Sequence, residues 1–242
     1  MGRTWIRLGG DELLPGSGMG SSTADLGALI GAVHAWTRRG EIDPSAAAAW
    51  ALEVEPTNGT FYRELTLFDH RSGSFAEPWG AAPELDLVAV TQGALDTVDF
   101  NRRLDRRLRR GELTRDLLRR WAETLALLRR GLDTGDLEAV GRASTQSARL
   151  SRALAPRPLL EEVEATARDV GALGVLVGHS GTATGILLDP ARSAAPEGVA
   201  EGLRRRLPEA RPIHLRTGAG GIRWGTVPPS TPLPPPQRGP MV

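Results

Sequence analysis

From Leu26 onward the apolar residues Leu26, Leu29, Ile30, Val33 and Trp36 recur three and four apart, the repeat of one helix face. That spacing predicts a helix from Ser21 or Ser22 to about Arg39. Asp43 and Pro44 then supply an N-cap and a first helical residue. They open a second helix through Ala46 and Trp50 to about Val54, which Pro56 and the Asn58-Gly59 pair stop. Residues 61–68 read as a strand, 69–73 as a hairpin turn with 74–76 returning, and 85–91 as a buried strand. Leu113, Leu117, Leu118, Trp121, Leu125 and Leu128 mark an amphipathic helix. Two more helices follow, at 136–154, closed by Pro156 and Pro158, and at 159–170. The remaining pattern is a strand at 173–177, a turn at 178–184, a strand at 185–188, a helix from Pro196 to Leu207 and a last strand at 212–216. Upstream, 4–9 alternates as a strand. From Pro228 the chain is proline-rich, without a core pattern, and reads as an extended tail.

Between residues 85 and 216 the order is strand, helices, strand, strand, helix, strand. That is the split βαβ arrangement of ferredoxin-like domains, so the fold class is α+β. Composition narrows the function classes. The 30 basic and 29 acidic residues leave a net charge of +1, so no global field recruits nucleic acid or a membrane. The arginine run at 99–110 has leucines at helical spacing and reads as a solvated helix face. The absence of cysteine excludes disulfides, thiolate metal sites and a cysteine nucleophile. No apolar run is long enough for a membrane span or a leader, so a cytoplasmic protein is expected. The four histidines show no zinc-ligand spacing, and no Gly-x-Ser-x-Gly elbow is present.

The stretch with chemical character is Pro15, Gly16, Ser17, Gly18, Met19, Gly20, Ser21, Ser22, Thr23. Glycines let successive N–H groups turn into one hollow. The start of the following helix adds unpaired N–H groups and the positive end of its dipole. Such a hollow suits phosphate, and the serine hydroxyls suit a phosphate oxygen or a hard metal ion. A flexible turn with a serine N-cap is the alternative that composition leaves open. The nucleotide P-loop is excluded, because it needs a lysine and this chain has none. The dinucleotide fingerprint fails as well, with Ser21 or Thr23 where its last glycine belongs.

The stretch resembles the second motif of the GHMP kinases, a Pro-x-x-x-Gly-hydrophobic-Gly-Ser-Ser loop around ATP phosphates. Gly178-His179-Ser180-Gly181-Thr182-Ala183 resembles that family's third motif. The phrases GMGSSTAD, VEPT, LFDHRSG and GHSGTATG are most similar to its L-threonine kinases of cobamide synthesis. The resemblance implies a two-domain α+β fold. Residues 1–82 would be an incomplete N-terminal domain of the ribosomal-protein-S5 type, 83–226 a ferredoxin-like C-terminal domain and 227–242 a disordered tail. It implies ATP held by residues 15–23, and Mg2+ held by Ser22 and Glu55, with Glu53 as the competing carboxylate. His179, Ser180, Gly181 and Thr182 would face phosphate or acceptor. Asn58 stands where the family usually has a catalytic aspartate, and an amide cannot take a proton at neutral pH. The implied activity is ATP-dependent phosphorylation of the hydroxyl of a small molecule, L-threonine or a similar hydroxy amino acid. The alternative is a catalytically inactive relative that binds a ligand or partner. In the family this loop lies much further into the chain, and its first motif has no counterpart here. A misassigned start codon, a truncated copy or a partner chain would each account for this, and in the last case a homodimer or another chain would complete the N-terminal sheet.

Overall fold

The computed structural model describes residues 19–37, 40–91, 97–178, 182–192 and 194–223. The expected strand at 4–9 and the proline-rich tail lie outside them. Short, largely apolar runs build a four-stranded antiparallel sheet from β3 (Asp86–Val90), β4 (Gly174–Val177), β5 (Thr184–Leu188) and β6 (Ile213–Arg216), in the order β4-β5-β3-β6. This is the split βαβ topology. Its first crossover carries four helices, α3 (Thr97–Arg109), α4 (Arg115–Thr134), α5 (Leu137–Ser151) and α6 (Leu160–Asp169), and its second carries α7 (Pro196–Arg206).

One face of the sheet presents Val88, Val90, Val175, Ile186 and Leu188. They pack against Leu160 and Val163 of α6 and Val199 and Leu203 of α7, and all are essentially inaccessible to water. On the other face Leu85, Leu173 and Leu187 pack with Leu137. Helix α5 covers the edge strand β4. A Cβ on Gly141 would stand only 2.1 Å from the Leu173 carbonyl oxygen, so glycine is what admits the helix. Thr145 Oγ1 then accepts from the Val175 N–H at 3.1 Å, closing an edge that would otherwise invite pairing. Thr114 and Asp136 cap α4 and α5 through their side chains, and Gly135 ends α4 at φ 69°.

The N-terminal elements are α1 (Ser21–Thr37), α2 (Pro44–Leu52) and the hairpin β1 (Thr66–Phe68) with β2 (Ala76–Pro78). Asp43 caps α2 as its sequence predicts, accepting from the Ser45 N–H at 3.0 Å. Ala47, Ala48 and Ala51 are small enough to bring α2 close to Phe61, with Leu26, Ile30 and Phe68 around them. The strand expected over 61–68 is corrected to its last three residues. Asn58 captures the Thr60 N–H and opens a 3-10 turn at Gly59–Phe61, and cross-strand bonding begins only at Leu65, whose N–H donates to Gly80 O at 2.9 Å, with Thr66 opposite Pro78. The return strand is shifted for a related reason. Asp69 accepts from the hydroxyls of Ser72 and Ser74 and from the Arg71 N–H, which lengthens the turn so that Phe68 faces Ala76.

The segment after β6 comes back to these elements. The N–H of Gly220 donates to Arg63 O at 3.2 Å and that of Gly221 to Thr60 O at 2.7 Å. Ile222 lies over Gly27 and Gly31 of α1, where a Cβ on Gly31 would stand 2.8 Å from it.

Candidate active site at the start of helix α1

The chain enters α1 through Gly20, whose φ of +80° suits a residue without a side chain. Its carbonyl accepts the Ala24 N–H at 2.9 Å as the first helical bond. The N–H groups of the first turn lack intrahelical partners, and the helix dipole adds positive potential. Met19, Gly20 and Ser21 are half-buried, Ser22 is exposed and Thr23 is buried.

Facing this turn is the segment that leaves α2. The Val54 and Glu55 N–H groups both donate to Ala51 O at 3.0 Å, which ends the helix and swings Glu55 toward α1. Ser22 Oγ donates directly to Glu55 Oε1. Of the two carboxylates the sequence offers here, Glu55 is the one brought to Ser22, while Glu53 caps α2 and is exposed. Two residues on, Thr57 Oγ1 lies 3.0 Å from Thr23 Oγ1, and the Thr57 N–H donates to His70 O at 3.0 Å.

Asn58 lies beside Gly20, and a Cβ on that glycine would stand 3.0 Å from Asn58 Nδ2. Its Oδ1 accepts from the Thr60 N–H at 3.1 Å and the Thr60 hydroxyl at 2.6 Å. A backbone N–H needs an acceptor, so these bonds fix the amide orientation and leave the NH2 toward Gly20. At this position the chain offers a donor, not a base.

Ser22, Glu55 and Asn58 are thus gathered around Gly20. Pro15, Gly16, Ser17 and Gly18 lie outside the described residues, as do His179, Ser180 and Gly181. Thr182 stands half-buried in the β4–β5 turn, which the Gly178 N–H closes on Ala183 O at 2.8 Å. Asp69 and His70 serve the hairpin, in keeping with the turn that their sequence predicts. The Ser72 and Ser74 hydroxyls, then the Arg71 N–H, hold the Asp69 carboxyl far below the usual carboxylate range. The His70 ring Nε2 lies 3.5 Å from Asn101 Oδ1 on α3. Spacing alone did not single out the Thr23–Thr57 pair.

The donor set around Ser22 suits a hard divalent cation. One hydroxyl and one carboxylate oxygen already touch, which matches Mg2+ bound through few protein oxygens and otherwise through phosphate and water. Among the described residues no three His, Cys, Asp or Glu side chains form a metal cage, and none of their helices is long and apolar enough to cross a membrane. Arg102, Arg106 and Arg109 of α3 line an open groove of about 480 Å3 together with Asp99 and Asp105. Asp105 is engaged bidentately by Arg71, and Arg107 by Glu112.

Residues 125–209 match the family described as GHMP kinases C terminal. The chain is 32% identical over 187 residues to an L-threonine kinase of Citrobacter freundii, covering 76% of this chain and 62% of that protein. It is 30% identical over 177 residues to an L-threonine kinase of Salmonella typhimurium, covering 72% and 57%. The chain therefore spans about six tenths of the length of these curated relatives. Two solved structures show the likeness of fold. One is a homoserine kinase from Cytophaga hutchinsonii (TM-score 0.63, 18% identity, 87% of this chain and 69% of that one). The other is the L. major mevalonate kinase in complex with R-mevalonate (TM-score 0.65, 23% identity, 86% and 68%).

Proposed function

We propose that the chain, whose residues 125–209 match the family described as GHMP kinases C terminal, transfers the γ-phosphate of ATP to the hydroxyl of a small molecule, with L-threonine or a similar hydroxy amino acid as acceptor. The observation that carries this reading is the Ser22–Glu55 contact beside Gly20 at the positive end of α1. Phosphoryl transfer asks for positioning and charge neutralisation more than for covalent chemistry. The first-turn N–H groups of α1 would receive phosphate oxygens. Ser22 Oγ and the Glu55 carboxylate would hold Mg2+, which neutralises charge on the phosphates when bound. Residues 15–18 and 179–181 belong to the same proposal by motif, as do the domain limits 1–82 and 83–226.

Asn58 defines what the chain contributes at the acceptor. Its oxygen is spent on Thr60, so its NH2 would orient the acceptor hydroxyl or a phosphate oxygen, and the phosphate itself would take the proton. The same observation favours the second reading, a catalytically silent relative that binds ligand or partner. The deciding experiment is ATP-dependent phosphate transfer to threonine, serine and homoserine. Turnover that falls about a hundredfold or more in Ser22→Ala and Glu55→Gln supports the kinase reading. Binding of ATP without transfer to any acceptor supports the silent one. The resemblance to L-threonine kinases rests on six tenths of their length, and any partner chain that co-purifies belongs in the assay.

A further inference from the structure

Thr23 and Thr57 are buried hydroxyl residues, 5% and 2% exposed, set directly behind the Ser22–Glu55 contact. Their Oγ1 atoms are 3.0 Å apart. Thr23 follows Ser22 in the first turn of α1, and Thr57 stands between Glu55 and Asn58. The segment carrying Glu55 and Asn58 is irregular backbone, with neither helix nor ladder to hold it from residue 55 to 58. It is instead pinned at Thr57 from two sides, by the hydroxyl of α1 and by the His70 carbonyl of the hairpin, which takes the Thr57 N–H at 3.0 Å.

We propose that the Thr23 and Thr57 hydroxyls are a positioning pair, which fixes the separation of Ser22 Oγ from the Glu55 carboxylate and the seat of the Asn58 amide against Gly20, without themselves touching nucleotide or acceptor. The inference rests on the kinase reading above and adds to it two residues that act through their neighbours. The physical basis is leverage. Ser22 is exposed and Glu55 only half-buried, so neither is held by packing of its own, whereas a hydroxyl pair excluded from water is both stronger and more exacting in distance. Displacing a metal-binding oxygen by a fraction of a bond length costs affinity even when the oxygen remains present.

The test uses the isosteric change Thr→Val, singly and together, with Thr57→Ser as the conservative variant. Thermal unfolding, calorimetric binding of ATP with and without Mg2+, and kcat and acceptor KM are measured on each. A single Thr→Val leaves the other hydroxyl buried and unpaired, whereas the double change removes both. Each single variant is expected to lower the melting temperature and to weaken Mg2+-dependent ATP binding about tenfold. The double variant should regain most of the lost melting temperature while Mg2+-dependent binding and kcat stay low. Thr57→Ser should behave as the wild type. Recovery of Mg2+-dependent binding together with the melting temperature in the double variant would overturn the proposal, because the pair would then serve only the fold. If the unaltered chain binds ATP indifferently to Mg2+, and Ser22→Ala does not change that, the site reading falls and takes the pair with it. That failure is recognised before any threonine is changed.

Discussion

Asn58 and Gly20 fit one another as a donor and the space made for it. Giving Gly20 a Cβ places that atom 3.0 Å from Asn58 Nδ2 on a residue at φ +80°. Gly20→Ala should therefore cost roughly 1–2 kcal/mol from the left-handed backbone alone, read by denaturant unfolding, and should displace the amide as well. Asn58→Asp is more informative. An aspartate keeps an oxygen for Thr60, so the 3-10 turn survives, but it replaces the NH2 with a second oxygen beside the proposed phosphate site. If Asn58 works as a donor, Asn58→Asp weakens ATP binding at neutral pH and recovers part of it as the new carboxylate is protonated. The wild type shows no such recovery. Calorimetric titration across the carboxylate range checks this, and a variant that binds ATP better and turns over faster at neutral pH would return a base to the mechanism.

Two elements of the fold respond to different stresses. The hairpin turn depends on the ionised Asp69 carboxylate, whose hydrogen bonds from Ser72, Ser74 and the Arg71 N–H hold its pKa low. A depressed folded-state pKa stabilises the protein above the unfolded value, about 3.9, and that stabilisation is lost as pH falls below it. Asp86 adds to the same trend, since the His214 ring and then the Arg216 guanidinium depress its carboxyl. Asp69→Asn should flatten the loss of stability between about pH 5 and pH 3, followed by urea midpoints against pH; an unchanged slope would remove Asp69 from the account. At the other sheet, Gly141→Ala forces a methyl to within 2.1 Å of the Leu173 carbonyl oxygen. A loss of about 3 kcal/mol is expected there, because the neighbour is backbone on both sides. The β3–β6 sheet was legible in the sequence because most of its strands are short apolar runs bounded by turn residues. Residues 61–68 were not, because a side chain at Asn58 takes the N–H that a strand would have offered. Ser22 and Glu55, 33 residues apart, come together through a helix start and a helix end, which no local spacing records. The motif resemblance named them; the pairing of Thr23 with Thr57 carries no sequence signature.

On the scale of the whole chain, the surface is divided between charge and grease. Many arginines sit in exposed ion pairs such as Arg119 with Asp116 and Glu123, each contributing about 0–1 kcal/mol and screened by salt. Helix α1 is different. Only Asp25 and His34 among its residues are ionisable, and a helix apolar on all sides ordinarily has cover on all sides. Its Thr23, Gly27 and Gly31 are buried, yet Val33 is 41% and Trp36 71% exposed one turn apart. Trp50 and Val54 at the end of α2 are 45% and 69% exposed. Clustered apolar surface of this kind drives association, whereas isolated exposed side chains do not. The chain in solution is therefore expected to self-associate with rising concentration and to bind a solvatochromic dye, both diminished by Trp36→Glu. Salt separates this cause from the arginine run. Association through α1 should persist or strengthen with added sulfate, and association through arginine and carboxylate should weaken as the Debye length falls. Sedimentation velocity of the wild type, Trp36→Glu and Arg102→Ala at low and high salt makes the comparison. If Trp36→Glu sediments as the wild type does while Arg102→Ala dissociates, charge rather than the face of α1 holds the copies together.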